Sequence, residues 1–333
     1  MADLVFDSGR IVRDLLVNFQ QVKNSGVMGV DKRIRFLVAQ LFTSEQEVMD
    51  GQAFKDTTTL FKKQLGFFNA LDGNTRASLA GLLLVNGQND EKTVARVIDN
   101  YELLVESGFK RTNFTYFGAY LLLRTADKPR NVAERARNIY MALRKQHPFL
   151  TGAEDVTSAV LMAQLDTSLS VEQLTEINEY YFTEFNRAGF RRNDSLQFLA
   201  ATSTLIYLDR DANHVKKVVH LAEELEHADV KIRPIHYVTL GILAYVRESA
   251  ELDAVFFDLL EAMRGDSGLR WNREFYTAMA LSLYTEDQAR NMTKDQVESL
   301  MVSVHVLIAI ERAAAASAAA AASAAAASSG GGS

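Results

Sequence analysis

The chain of 333 residues contains no cysteine and three prolines, and no apolar run long enough to cross a bilayer. Without cysteine there are no disulfides, thiolate zinc sites or cysteine nucleophiles, which suits a reducing compartment. With proline confined to Pro129, Pro148 and Pro234, little interrupts helices. The best apolar stretch near the end, residues 302–310, contains His305 and runs into Glu311 and Arg312. It falls well short of the roughly 20 residues a transmembrane helix needs. The first residues mix acids with apolar side chains and show no secretory pattern, so the expectation is a soluble, cytoplasmic protein with no membrane span. Phosphate-cradling loops of the GxxxxGK[ST] or GxGxxG type are missing, as are GxSxG and HExxH. No catalytic residue, metal ligand or cofactor is nominated by motif. A net charge of −6 argues against a surface that attracts nucleic acid as a whole.

What is present is helical periodicity. Val94, Val97, Ile98, Tyr101, Leu104 and Val105 recur at three- and four-residue spacing, and no alternating strand pattern competes with it. The fold class is all α. Self-comparison adds a period: turn, polar helix start and apolar helix recur from Gly66, Gly108, Pro148, Gly189, Asp229 and Gly268, at separations of 42, 40, 41, 40 and 39 residues. An earlier copy covers residues 31–42. Each period has room for an apolar helix followed by a more amphipathic one. Gly108, Gly189 and Gly268 are placed to close the preceding helix in the left-handed conformation, with Phe109, Phe190 and Leu269 folding back on it. Thr112 or Asn113, Asn193 or Asp194, and Asn272 then cap the next helix.

One such hairpin cannot bury its own apolar face, so neighbours must stack. The expectation is a superhelical array of about six or seven α-hairpins with a period near 40 residues, the alternative being a closed α/α toroid. Contact between the Asp31 region and the Gly268 repeat would favour closure. Residues 1–312 form one repeat domain. Residues 313–333 are a low-complexity tail, with 13 Ala and 4 Ser in 313–329 before Gly-Gly-Gly-Ser. A helix continuing from Val302 and fraying toward Gly330 is expected there.

The segments KRIRFLVAQLF and LLVESGFKRTNFTYFGAYLLL, the GFKR-like turns and the Ala/Ser-rich tail resemble a family of uncharacterised bacterial proteins, chiefly of Gram-positive bacteria, known only as a domain of unknown function. The resemblance runs from about Ile11 to the tail and implies that the tail is native. It brings no site residues with it.

Three clusters merit weighing. His214, His220 and His227, with Glu223 and Glu224, fall on one helix at spacings compatible with a metal, although a solvated helix face explains them as well. Asp72, Asp155, Asp166, Asp209 and Asp211 lie near helix ends, where toroidal enzymes place acid pairs, and where Asp also serves as an ordinary cap. The strongest feature is a basic edge: Lys110 and Arg111, Arg191 and Arg192, Lys231 and Arg233, and Arg270 with Arg273 occupy comparable turns. The Pro148 copy interrupts it with Thr151 and Gly152. Stacking would align these cations for an acidic peptide, a nucleic-acid backbone or anionic lipid, or they serve the helix dipoles. Phe114, Tyr116, Phe117, Tyr237, Phe275 and Tyr276, just downstream, read as core.

These observations favour a non-enzymatic scaffold that presents a groove to a protein or peptide. The competing reading is an α/α-toroid enzyme acting on a carbohydrate or isoprenoid through helix-end carboxylates, and a weaker one is nucleic-acid binding along the basic edge.

Overall fold

In the computed structural model the described residues are 6–65, 71–125, 128–165, 168–249, 251–290 and 308. They form fourteen α-helices and no strand. In chain order these are α1 (Ser8–Asn24), α2 (Lys32–Ser44), α3 (Gly51–Leu65), α4 (Gly73–Val85), α5 (Glu91–Glu106), α6 (Asn113–Leu121), α7 (Pro129–Gln146), α8 (Val156–Gln164), α9 (Val171–Arg187), α10 (Asp194–Tyr207), α11 (Ala212–His227), α12 (Tyr237–Val246), α13 (Ala254–Gly265) and α14 (Arg273–Ala289).

Even-numbered helices are buried around most of their circumference beyond the first turn and form an inner layer. In α8 every residue from Val156 to Ala163 is buried, and in α12 every residue from Tyr237 to Ala244. Odd-numbered helices bury one stripe, such as Val94, Val97, Tyr101 and Leu104 of α5, and form the outer layer. Packed pairs join α1 to α2, α3 to α4, and so on to α13 with α14. Each hairpin is thus an outer helix, a turn, and the inner helix that follows it. This differs from the expected grouping of an apolar helix with the amphipathic helix after it. The glycine turn is short and closes tightly, so the helices on either side of it are the ones that pack.

Two of those turns follow the expected chemistry. At the end of α5, Gly108 has φ +100° and donates from its amide to Val105 O, while Phe109 N reaches Leu104 O. Gly189 (φ +101°) and Phe190 repeat this after α9. In the sixth hairpin Asp229, at φ +59°, takes the glycine's place, with Val230 N bonded to Leu225 O. Gly268 departs from expectation and is not left-handed: Asp266 Oδ1 accepts from its amide at 2.7 Å and shapes that turn instead. Thr112, Asn193 and Asn272 cap α6, α10 and α14, each contributing about 1 kcal/mol.

Inner helices stack α2 on α4, then α6, α8, α10, α12 and α14, and α14 packs back on α2. Outside them, α13 rests on α1. Of the two arrangements expected, the contacts are those of the closed toroid. The seam is made by Lys32 Nζ donating to Gly268 O at 3.1 Å, by Gln40 Nε2 bonded to Glu286 Oε1 at 3.2 Å, and by Phe36, whose ring lies 4.0 Å from Phe19 and 6.1 Å from Phe275.

Hydrogen bonds run from one hairpin to the next between the N-terminal turns of inner helices. Asn74 Oδ1 accepts from Asp31 N, Asn113 Oδ1 from Asp72 N, and Tyr237 OH from Arg191 N; Gln197 Nε2 donates to Thr151 Oγ1. The outer-to-inner turns therefore lie together on one rim of the ring. Ile308, the one described residue of its segment, is buried in the same apolar cluster as Phe198, Ala201, Val238 and Ile242 of the inner layer. The expected helix from Val302 and the Ala/Ser tail otherwise lie outside the described residues.

Candidate functional site

Because the inner layer is buried on all sides, polar chemistry gathers on the rim. The basic residues expected to align do sit in equivalent turns there, but in two distinct states. Arg111 forms a bidentate pair with Glu102 at 2.8 and 2.7 Å, and this pairing holds the Glu102 carboxyl below its usual range. Arg233 pairs with Glu274 at 2.8 Å, and Arg273 reaches Asp229. Arg192 lies over the Phe182 ring at 5.6 Å, with its guanidinium 3.4 Å from His147 Nδ1. Lys110, Arg191, Lys231 and Arg270 are exposed and have no acidic partner among the described residues. These four, and not the whole set of seven, are available to another molecule.

The break at the fourth hairpin is an acidic centre. Residues 147–155 lead into α8, and Asp155, which is 2% exposed, accepts from Gly152 N at 2.8 Å. Burial raises the Asp155 carboxyl well above its usual range, and the neighbouring Glu154 and Asp194 add to the effect. Glu154 and Asp194 share a side-chain hydrogen bond and are themselves raised, chiefly by desolvation. Asn193 does the capping of α10, which leaves the Asp194 carboxyl free to meet Glu154. His147 Nε2 lies 2.6 Å from Glu179 Oε2 beside this group.

The other expected acids do not join it. Asp72 caps α4, two hairpins before this group, and accepts from Asn113 Nδ2 of the adjacent hairpin at 2.8 Å. Asp209 and Asp211 lie at the opposite end of α10, where Asp211 caps α11. Asp166 lies outside the described residues. Of the histidines, His214 turns inward instead of sharing a solvated face, bonding Ser203 Oγ at 2.9 Å; burial lowers its pKa to about 4. His220 and His227 are exposed on α11. Among the described residues no three His, Asp or Glu side chains form a group that could hold a metal.

Sequence reasoning missed the apolar component of the rim. Phe149 is fully exposed, Met28 is 85% exposed and Trp271 is 38% exposed, and all three occupy outer-to-inner turns. Phe149 follows Pro148, where the third and fifth hairpins have a left-handed glycine; without that closure the ring does not fold back as Phe109 and Phe190 do. That missing glycine was the available signal. The expected core aromatics Tyr116, Phe117, Tyr237, Phe275 and Tyr276 are buried. A shallow furrow of cavities runs along α9 on the outer surface, lined by Gln146, Glu176, Glu184 and Arg187 among others.

The sequence pattern of the family described as "Protein of unknown function (DUF4003)" matches residues 18–313. An uncharacterised protein, YeaA of Bacillus subtilis (strain 168), is 25% identical over 290 residues, covering 85% of each chain. No solved structure matches. No described helix is long and apolar enough to cross a membrane.

Proposed function

We propose that this chain, which belongs to the DUF4003 family, is a non-enzymatic binding module whose rim receives a protein or peptide partner. One observation carries the reading: exposed Phe149, Met28 and Trp271 stand among exposed, unpaired Lys110, Arg191, Lys231 and Arg270 on the same end of a ring whose inner layer is closed to solvent. Aromatic, methionine and arginine side chains are the ones enriched where proteins meet. On this reading the partner meets the face formed by the outer-to-inner turns and not the groove of an open array. Inner helices about 10 Å apart space its turns.

A photoreactive phenylalanine analogue tests this when placed at Phe149 on the rim and at Gln88 on the far end. Irradiation in cells should give protein adducts from the rim position and none from the far one. Adducts at neither position, or equally at both, would defeat the proposal.

Ring closure supports a second reading, the α/α-toroid enzyme, because the seam contacts are those named for it and Glu154, Asp155 and Asp194 supply helix-end carboxyls. Burial of the inner layer on every face weighs against a substrate cavity there. A saccharide or isoprenoid consumed by the wild type, but not by Asp155→Asn, would transfer the assignment to this reading.

A further inference from the structure

We propose that the seam between the seventh and first hairpins binds an acidic peptide segment carrying an apolar side chain, with Trp271 as the anchor and Lys32, Arg35 and Arg270 as the cations that face its carboxylates. This rests on the reading of the rim as a binding face and names the partner for one part of it.

Trp271 is held from behind by a train of rings. It lies 5.4 Å from Phe275, which lies 6.1 Å from Phe36, which stacks on Phe19 at 4.0 Å. Phe36 and Phe275 are fully buried, so the indole is a fixed platform rather than a mobile side chain. A pre-ordered aromatic anchor loses little conformational entropy on binding, the property that concentrates affinity at such residues. Met28, the most exposed apolar residue of the first rim turn, precedes Lys32 by four positions and so lies within about 14 Å of it by chain reach. Lys32 in turn sits 4.6 Å from the Trp271 ring centroid. Anchor, cation and second apolar side chain therefore share one patch.

Charge decides what the patch takes. Of the nearby acids among the described residues, Asp31 caps α2 and pairs with Arg33, Glu274 pairs with Arg233, and Asp266 accepts from Gly268 N. Arg273 is held by Asp229. Lys32 donates to Gly268 O and Arg35 to Val30 O, both carbonyls, and the Arg270 side chain has no partner among the described residues. Lys32 over the indole, Arg270 next to it in sequence and Arg35 one turn along α2 thus have no ion-pair partner among the described residues, against one unpaired carboxylate, Asp266. A nucleic-acid backbone needs a longer run of cations than this, and the chain as a whole is acidic at −6. Carboxylates spaced along a peptide with an intervening apolar side chain match the patch in both charge and hydropathy.

Trp271 is the only tryptophan in the chain, so its emission reports on the seam alone. The purified full chain is titrated with four probes: an alternating Glu/Leu peptide, a Lys/Leu peptide of equal length, a thymidine oligonucleotide and phosphatidylglycerol vesicles. The Glu/Leu peptide should give a saturable shift in emission that salt weakens. Arg270→Glu, whose side chain takes no part in ring closure, should weaken that binding about tenfold or more. Lys92→Glu, at the start of α5 on the end away from the rim, should leave it unchanged. No shift with the Glu/Leu peptide, an equal shift with the Lys/Leu peptide, or a shift only with oligonucleotide or vesicles overturns the proposal. If rim crosslinking at Phe149 succeeds while Trp271 stays silent, the seam assignment fails and the broader reading stands; if both fail, both fall.

Discussion

His236 offers the most direct check on how the ring is held. Its Nδ1 accepts from Arg233 N at 3.1 Å, and its Nε2 lies 3.1 Å from the carbonyl of Glu274 on α14, to which it donates. One neutral tautomer satisfies both bonds; a proton on Nδ1 would face the Arg233 amide. Burial accordingly lowers the pKa to about 4 from an ordinary 6.5. The folded state then binds fewer protons than the unfolded chain between these values. The stabilisation is fully present above pH 6.5 and is lost as pH falls toward 4. At pH 5 the loss is about 2 kcal/mol for this group, or roughly 3 °C in Tm for a chain of this length. His214, lowered to about 4 by the same cause, adds a similar amount. In His236→Asn the amide oxygen can still accept from Arg233 N, but Glu274 O loses its donor. Tm at pH 7.5 should therefore drop by an amount corresponding to about 1–3 kcal/mol, while the further fall from pH 7.5 to 5.0 should be roughly half that of the wild type. Equal falls in the two proteins would refute the reasoning.

Other consequences are as direct. Asp155 has a raised pKa in the folded state, so it contributes stability below its ordinary 3.8 that is lost as pH rises above that value; Asp155→Asn should flatten the decline in Tm above about pH 4 and raise Tm at pH 8. A side chain on Gly81 would come within 2.9 Å of Val38 between α4 and α2, so Gly81→Val should cost about 1–3 kcal/mol in urea unfolding. Phe36→Ala removes the ring that joins Phe19 to Phe275 across the seam, and a loss of about 3–5 kcal/mol is expected in the same assay. A chelator should leave Tm unchanged; a drop would show that the folded chain binds a metal.

The forty-residue period, the inner and outer layers and most of the caps were legible because they depend on local chemistry: which residues are apolar, where glycine or a short polar side chain falls. Thr112, Asn193 and Asn272 cap as expected for that reason. Closure is not legible there because it depends on the small rotation between successive hairpins, summed over the chain, which no single turn encodes. Candidate chemistry was less legible still. Asp194 reads as a cap in sequence, and its encounter with Glu154 is created by the packing of α8 and α10. Arg111 and Arg233 look as free as Lys110 until Glu102 and Glu274 are seen beside them. Trp271 carries no periodic signal, since its exposure is set by the far end of the chain meeting the beginning.

A circle of helices has no outermost member. An open stack can shed its end units one at a time, each release breaking a single interface. Here every hairpin is gripped on both flanks, so freeing one requires two interfaces to part together. Unravelling should thus be closer to all-or-none than is usual for repetitive proteins. A chain cut at a far-end turn such as residues 86–90, with its original ends joined by a linker, could keep the same circle, because the seam is made by side chains and not by the order in which the hairpins are strung.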